Sequence, residues 1–174
     1  VFSIYKSFDR QVAHKLKKST QATAVYSYED GALETFIEAK KQGFKCFYEL
    51  PIGYWKSARA IFEEEKSLNP HWSSTIPGLS DSYEKLQRKD EELSLADFVV
   101  VPSKFVESTI VQNYRDNKNI SVVPYCSPTD NLLDAPNYNK DKLRVLYVGS
   151  LTQRKGLSYA IEAVDALKGR VDFT

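Results

Sequence analysis

Short apolar runs alternate with amphipathic helical stretches along the whole chain, and this alternation restricts the fold more than any other feature. QATAVYSY (21–28), KCFYEL (45–50), FVVV (98–101), ISVVP (120–124) and LRVLYV (143–148) each have the length and residue types of a strand, and the chain begins another at Val171 to Thr174. Helical spacing fills the gaps: residues 1–18; a stretch with Leu33, Phe36 and Ile37 on one face, opened by Asp30 as cap and closed by Gly43; one from near Ser57 into Glu63–Glu65; Tyr83 to Leu95; and Phe105 to Tyr114 after a Ser103 cap. Parallel neighbours need a crossover of a dozen residues or more, and strand–helix–strand units supply it. The expected class is α/β with doubly wound parallel sheets.

The segment Leu143 to Leu167 adds chemistry to this pattern. Leu143, Val145, Leu146, Tyr147 and Val148 read as a strand covered on both faces, and Gly149 breaks it. Leu157, Ala160, Ile161, Val164 and Leu167 then recur at helical spacing. The N-terminus of that helix points at a loop holding Ser150, Arg154 and Lys155, where free N–H groups, the helix dipole and two full charges favour an anion. Phosphate is the natural guest, with Gly149 permitting the turn and Gly156 admitting the chain to the helix.

Composition excludes several alternatives. Lys plus Arg number 24 against 23 Asp plus Glu, a formal +1, so bulk positive charge cannot drive nucleic-acid binding. No apolar run approaches the ~20 residues that span a bilayer. Lys6, Asp9 and Arg10 near the start are unlike a secretory signal, so a cytoplasmic location is expected. Cys46 and Cys126 lack a disulfide or metal spacing, and His14 and His71 have no partner at ligand spacing, so no metal is expected. Glu63, Glu64 and Glu65 are consecutive, so on a helix they point about 100° apart and read as a solvated face. Lys15, Lys17 and Lys18 either complement a helix dipole or touch anionic lipid as a peripheral membrane contact.

Pro128, Pro136 and three asparagines make residues 127–141 a linker between residues 1–126 and 142–174. The 33 residues after it are too few for a core of their own, so the chain reads as an internal piece of a longer protein.

Four phrases in order, VYSYEDGALETFIEAKKQGFKCFYELP (25–51), LADFVVVPSKFVESTI (95–110), ISVVPYCSP (120–128) and VGSLTQRKGLSYAIEA (148–163), resemble the family 4 retaining glycosyltransferases of the GT-B fold. The resemblance implies two Rossmann-like lobes: most of the acceptor-side lobe in 1–126, and the start of the nucleotide-sugar donor lobe in 142–174. It implies transfer of a sugar from a UDP- or GDP-linked donor to a hydroxyl acceptor (glycan, lipid or small molecule) with retention, without metal or further cofactor. In that family a basic pair holds the donor diphosphate. Lys155 matches its lysine, Arg154 stands for its partner, and Gly149 and Ser150 line the turn. On the acceptor side Glu29, Asp30 and Glu49 fall at strand C-terminal ends, where open sheets place ligands, and Tyr54 and Trp55 are candidates to stack on a sugar.

Departures are specific. Ser150 stands where the family has a basic residue after the first glycine, Cys126 where it often has a glycine, and Pro51 where it has a histidine. The family's N-terminal glycine-rich loop and its donor-gripping glutamate pair lie outside the sequence, so the chain alone is not expected to turn over. Two alternatives remain open: a noncatalytic nucleotide-sugar or glycan-binding module of the same fold, and a GT-B nucleotide-sugar epimerase.

Overall fold

The computed structural model describes residues 2–19, 21–114, 119–127 and 142–174. In chain order the elements are α1 (Phe2–Leu16), β1 (Ala24–Tyr28), α2 (Leu33–Lys41), β2 (Lys45–Glu49), α3 (Trp55–Leu68), a 3-10 segment (Pro70–Thr75), α4 (Tyr83–Leu95), β3 (Phe98–Val101), α5 (Lys104–Asn113), β4 (Asn119–Val122), β5 (Leu143–Val145), a short 3-10 turn (Gln153–Lys155), α6 (Leu157–Ala166) and β6 (Val171–Phe173). The chain divides into two compact units: Val1–Ala58 with Asp81–Cys126, and Arg59–Ser80 with Ser127–Thr174. The division also falls after residue 126, but it assigns residues 59–80 to the second unit, where the sequence suggested a contiguous first domain. The expected linker, 127–141, lies outside the described residues except for Ser127.

The first unit is a Rossmann-like α/β layer: four parallel strands in the order β1-β2-β3-β4, with Tyr26, Phe47, Phe98 and Asn119 in one row of the register. Alternation in the strands decides what is buried. Cys46, Tyr48, Val99 and Val101 belong to a core with Phe36 and Ala39 of α2, Leu93 of α4, and Val106 and Ile110 of α5. Residues of the opposite parity leave Tyr26 and Tyr28 more than half exposed, with the Phe47 and Phe98 rings stacked 4.8 Å apart.

Asp30 does not cap α2, contrary to expectation. It sits in the left-handed region at φ 71°, and the N-cap position is Ala32, which has no side chain to offer. Two distant carboxylates do the capping instead. Asp9 of α1 accepts from the N–H groups of Glu34 (2.7 Å) and Thr35 (2.9 Å), and Glu92 of α4 accepts from those of Ala32 (3.0 Å) and Leu33 (3.2 Å). Arg88 lies between them, its guanidinium donating to Asp9 and standing 3.1 Å from Glu92. The helix N-terminus thus binds α1 and α4 through its free N–H groups. Ser103 does cap α5 as its position predicts, accepting from Val106 N–H at 3.2 Å.

In the second unit β5 and β6 pair in parallel. The run LRVLYV was expected to be covered on both faces, yet Leu143, Leu146 and Val148 are exposed. The described elements of this unit do not enclose them, and α6 likewise leaves Ile161 exposed.

Candidate functional site

The loop from Gly149 to Gly156 is built by local contacts. Tyr147 folds back so that its hydroxyl donates to the Ser150 carbonyl at 2.6 Å, and a Cβ on Gly149 would stand 3.3 Å from that hydroxyl. Any side chain at 149 would press on the tyrosine. The chain then makes one 3-10 turn, with Gly156 N–H donating to the Gln153 carbonyl at 2.8 Å. Gly156 itself takes φ 69°, which a residue with a Cβ adopts only at a cost of ~1–2 kcal/mol. α6 starts immediately after it.

This geometry divides the turn into an anchored residue and two free ones. Gln153 is 2 % exposed, whereas Arg154 and Lys155 are exposed and their side chains have no hydrogen-bond or ion-pair partner among the described residues. Two uncompensated cations one residue before a helix N-terminus form an attractive field for an anion. Ser150 is exposed beside them, its hydroxyl 3.4 Å from that of Thr152.

Sequence reading missed what anchors Gln153. Its backbone N–H donates to Thr75 Oγ1 at 3.0 Å, its Nε2 donates to Glu65 Oε1 and to Ser158 Oγ, both at 2.7 Å, and its Oε1 accepts from Ser158 N–H at 3.2 Å. Glu65 also accepts from Asn69 Nδ2 at 2.7 Å and Tyr159 OH at 3.1 Å. Its carboxyl is held below the usual range by the Gln153 amide first, with Tyr159 and Asn69 helping to outweigh desolvation. Glu65 is therefore not merely part of a solvated acidic face. The only hint in sequence was that Gln153 stands beside two cations at the head of an apolar helix.

The acceptor-side residues lie in the first unit. Glu49 accepts from the Tyr26 hydroxyl at 2.6 Å and also engages Tyr28. Burial, then the Glu49 contact, push Tyr26 up to about 12, and the Glu49 hydrogen bond raises Tyr28. Glu29 is almost enclosed, 2.7 Å from the Lys89 ammonium; burial raises its carboxyl despite that partner. Asp30 stands 3.1 Å from Lys89 and 3.7 Å from Lys85. Tyr54 offers no ring face to a ligand. It is 1 % exposed, its N–H donates to Thr109 Oγ1 at 2.9 Å, and its hydroxyl donates to Asp90. Burial, then Asp90, raise that hydroxyl. Trp55 is half-buried and donates from Nε1 to the same Asp90, and Lys56 lies 5.3 Å from its ring. Asp90 thus ties the loop after β2 to α4, and of the five residues Glu49 is the one that engages two exposed phenols.

Cys46 is buried, its thiol pushed up to about 11 chiefly by desolvation, and Cys126 is exposed; neither is paired. Among the described residues no three His, Cys, Asp or Glu side chains form a metal-binding group, and no helix is long and apolar enough to cross a membrane. Lys17 lies 4.0 Å from Glu38. Compared with family models, curated proteins and solved structures, the chain matches none.

Proposed function

We propose that the chain is part of a retaining glycosyltransferase of the GT-B fold, and that Arg154 and Lys155 bind the diphosphate of a UDP- or GDP-linked sugar. The observation that supports this reading is the pair of exposed, unpartnered cations held at the N-terminus of α6. Departure of a nucleoside diphosphate from an anomeric carbon builds negative charge on the phosphate oxygens. Cations and N–H groups fixed in advance stabilise that charge more in the transition state than in the bound donor, which is the condition for accelerating the step. Gly149 lets the backbone turn close to the anion, and Ser150 supplies a hydroxyl donor. Glu49 is the acceptor-side carboxylate suited to orient a sugar hydroxyl, and the protein works in the cytoplasm, where nucleotide sugars are at hand.

A second reading has its own support. Ser150 in place of a basic residue, and Pro51 in place of a histidine, favour a noncatalytic nucleotide-sugar-binding module. Calorimetric titration of UDP and GDP tests what the two share. One nucleotide should bind, and Lys155→Ala should weaken it by about 1.5 to 3 kcal/mol, the range for a hydrogen bond to a charged group. Binding unaffected by that substitution would remove Lys155 from the site. Incubation of the full-length protein with the matching nucleotide sugar and a hydroxyl acceptor then separates the readings, since only the transferase releases free nucleotide.

A further inference from the structure

Gln153 is the least accessible residue of the turn, yet it lies directly before two exposed cations, Arg154 and Lys155. Its backbone and its side chain are both fixed: the N–H by Thr75, and the amide by Glu65 and Ser158. The amide orientation is forced. An ionised carboxylate only accepts, so Glu65 compels Nε2 to face it and turns Oε1 towards the N–H of Ser158 in the first turn of α6. Asn69 and Tyr159 complete the shell around Glu65, which fixes the carboxylate in turn.

The arrangement is unfavourable by charge alone. An anion-binding turn gains nothing electrostatically from a carboxylate hydrogen-bonded to the residue before its cations, because the carboxylate opposes the incoming charge. What Glu65 supplies is geometry. With Gln153 held at three atoms, the backbone of the turn is anchored, so that only the Arg154 and Lys155 side chains remain to be ordered when the ligand arrives. Without the clamp, the short 3-10 turn between two glycines (Gly149 and Gly156) would retain few constraints.

We propose that Glu65 and Gln153 are positioning residues for diphosphate binding by Arg154 and Lys155. This proposal rests on the reading of the loop as the donor site. It makes the residue 59–80 segment, through Glu65 and Thr75, a working part of the anion loop rather than a spacer.

The test is calorimetric titration of inorganic pyrophosphate into the protein and into Gln153→Ala, Glu65→Ala, Glu65→Gln and Lys155→Ala, at fixed ionic strength, with thermal unfolding recorded for each. Gln153→Ala and Glu65→Ala should each weaken pyrophosphate by about tenfold, the size of one charge-assisted hydrogen bond. Glu65→Gln keeps one oxygen for Gln153 and Asn69 and should bind close to the unaltered protein. Adding Glu65→Ala to Lys155→Ala should cost clearly less than Glu65→Ala costs in the unaltered protein, because only Arg154 is then left for the carboxylate to position. General loosening of the fold would instead add to the Lys155 loss. If Glu65→Ala binds as well as the unaltered protein or more tightly, as charge alone dictates, the clamp is overturned while the donor site stands. If the unaltered protein binds no pyrophosphate, both fall. Should Glu65→Ala fail to fold, Gln153→Ala against Glu65→Gln gives the same decision.

Discussion

Replacing Glu92 by alanine should nearly unfold the first unit. Glu92 is fully enclosed, and its two oxygens accept from the N–H groups of Asp30 (2.8 Å), Ala32 (3.0 Å) and Leu33 (3.2 Å) and from the Tyr48 hydroxyl (3.3 Å), beside the Arg88 guanidinium at 3.1 Å. Alanine leaves Arg88 with Asp9 as its remaining carboxylate and strands donors at the start of α2. Breaking a buried pair costs ~3–5 kcal/mol, and each stranded buried donor ~1–3 kcal/mol. Since these overlap, we expect a loss of about 5 kcal/mol, against a total of ~5–15 kcal/mol for a domain. Urea unfolding at pH 8, where the Glu92 carboxyl is ionised, followed by far-ultraviolet circular dichroism, reads this out. With a slope of ~1–3 kcal/mol per molar, the midpoint should drop by roughly 2 M or more, or the native baseline should vanish. Glu84→Ala is the control, because Glu84 contacts Lys6 at an exposed site and its loss should leave the midpoint where it was. A Glu92→Ala midpoint indistinguishable from that control would refute the reasoning.

Two further outcomes concern polar groups of the first unit. Desolvation raises the Glu92 carboxyl from 4.5 to about 7, against the pull of the Ala32 N–H and Arg88. The folded state therefore holds a proton that the unfolded state has released, so stability should fall by about 3 kcal/mol as pH rises from ~4.5 to 7 and then level off, and Glu92→Gln should flatten that slope in unfolding measured across pH. Tyr54→Phe removes a hydrogen bond to Asp90 from a closed site and should cost about 1–2 kcal/mol in urea unfolding, with Asp90 still bonded by Trp55; an unchanged midpoint would mean that the Asp90 anchor is held by Trp55 alone.

Local patterns in the sequence were reliable where local physics decides. Tyr83 to Leu95 and Phe98 to Val101 are read with the bounds the structure gives, because helical spacing and a β-branched run need no distant partner. The Ser103 cap is equally local, being three residues from the N–H it accepts. Asp30 failed because two carboxylates from α1 and α4 reach the α2 N-terminus first, and sequence separation hides them. The Arg88 to Glu92 spacing of four residues was visible, but nothing local reveals that Asp9 closes the pair. At the candidate site the glycines and the two cations were legible. Gln153 and Glu65 were not, since a glutamine and one of three glutamates carry no signal until the fold brings them to 2.7 Å. Tyr54 stood as a candidate ligand face because an aromatic residue after a proline-glycine turn looks the same in sequence whether it is buried or exposed, and the structure buries it.

The most direct test of the central claim is a nitrogen-15 amide spectrum of the protein titrated with UDP and, separately, GDP. One nucleotide should shift the amide resonances of Ser150, Arg154, Lys155, Gly156 and Leu157 together, with one saturating affinity that weakens in Lys155→Ala. Saturable shifts confined to other parts of the chain, or spectra unchanged by both nucleotides, would contradict the claim.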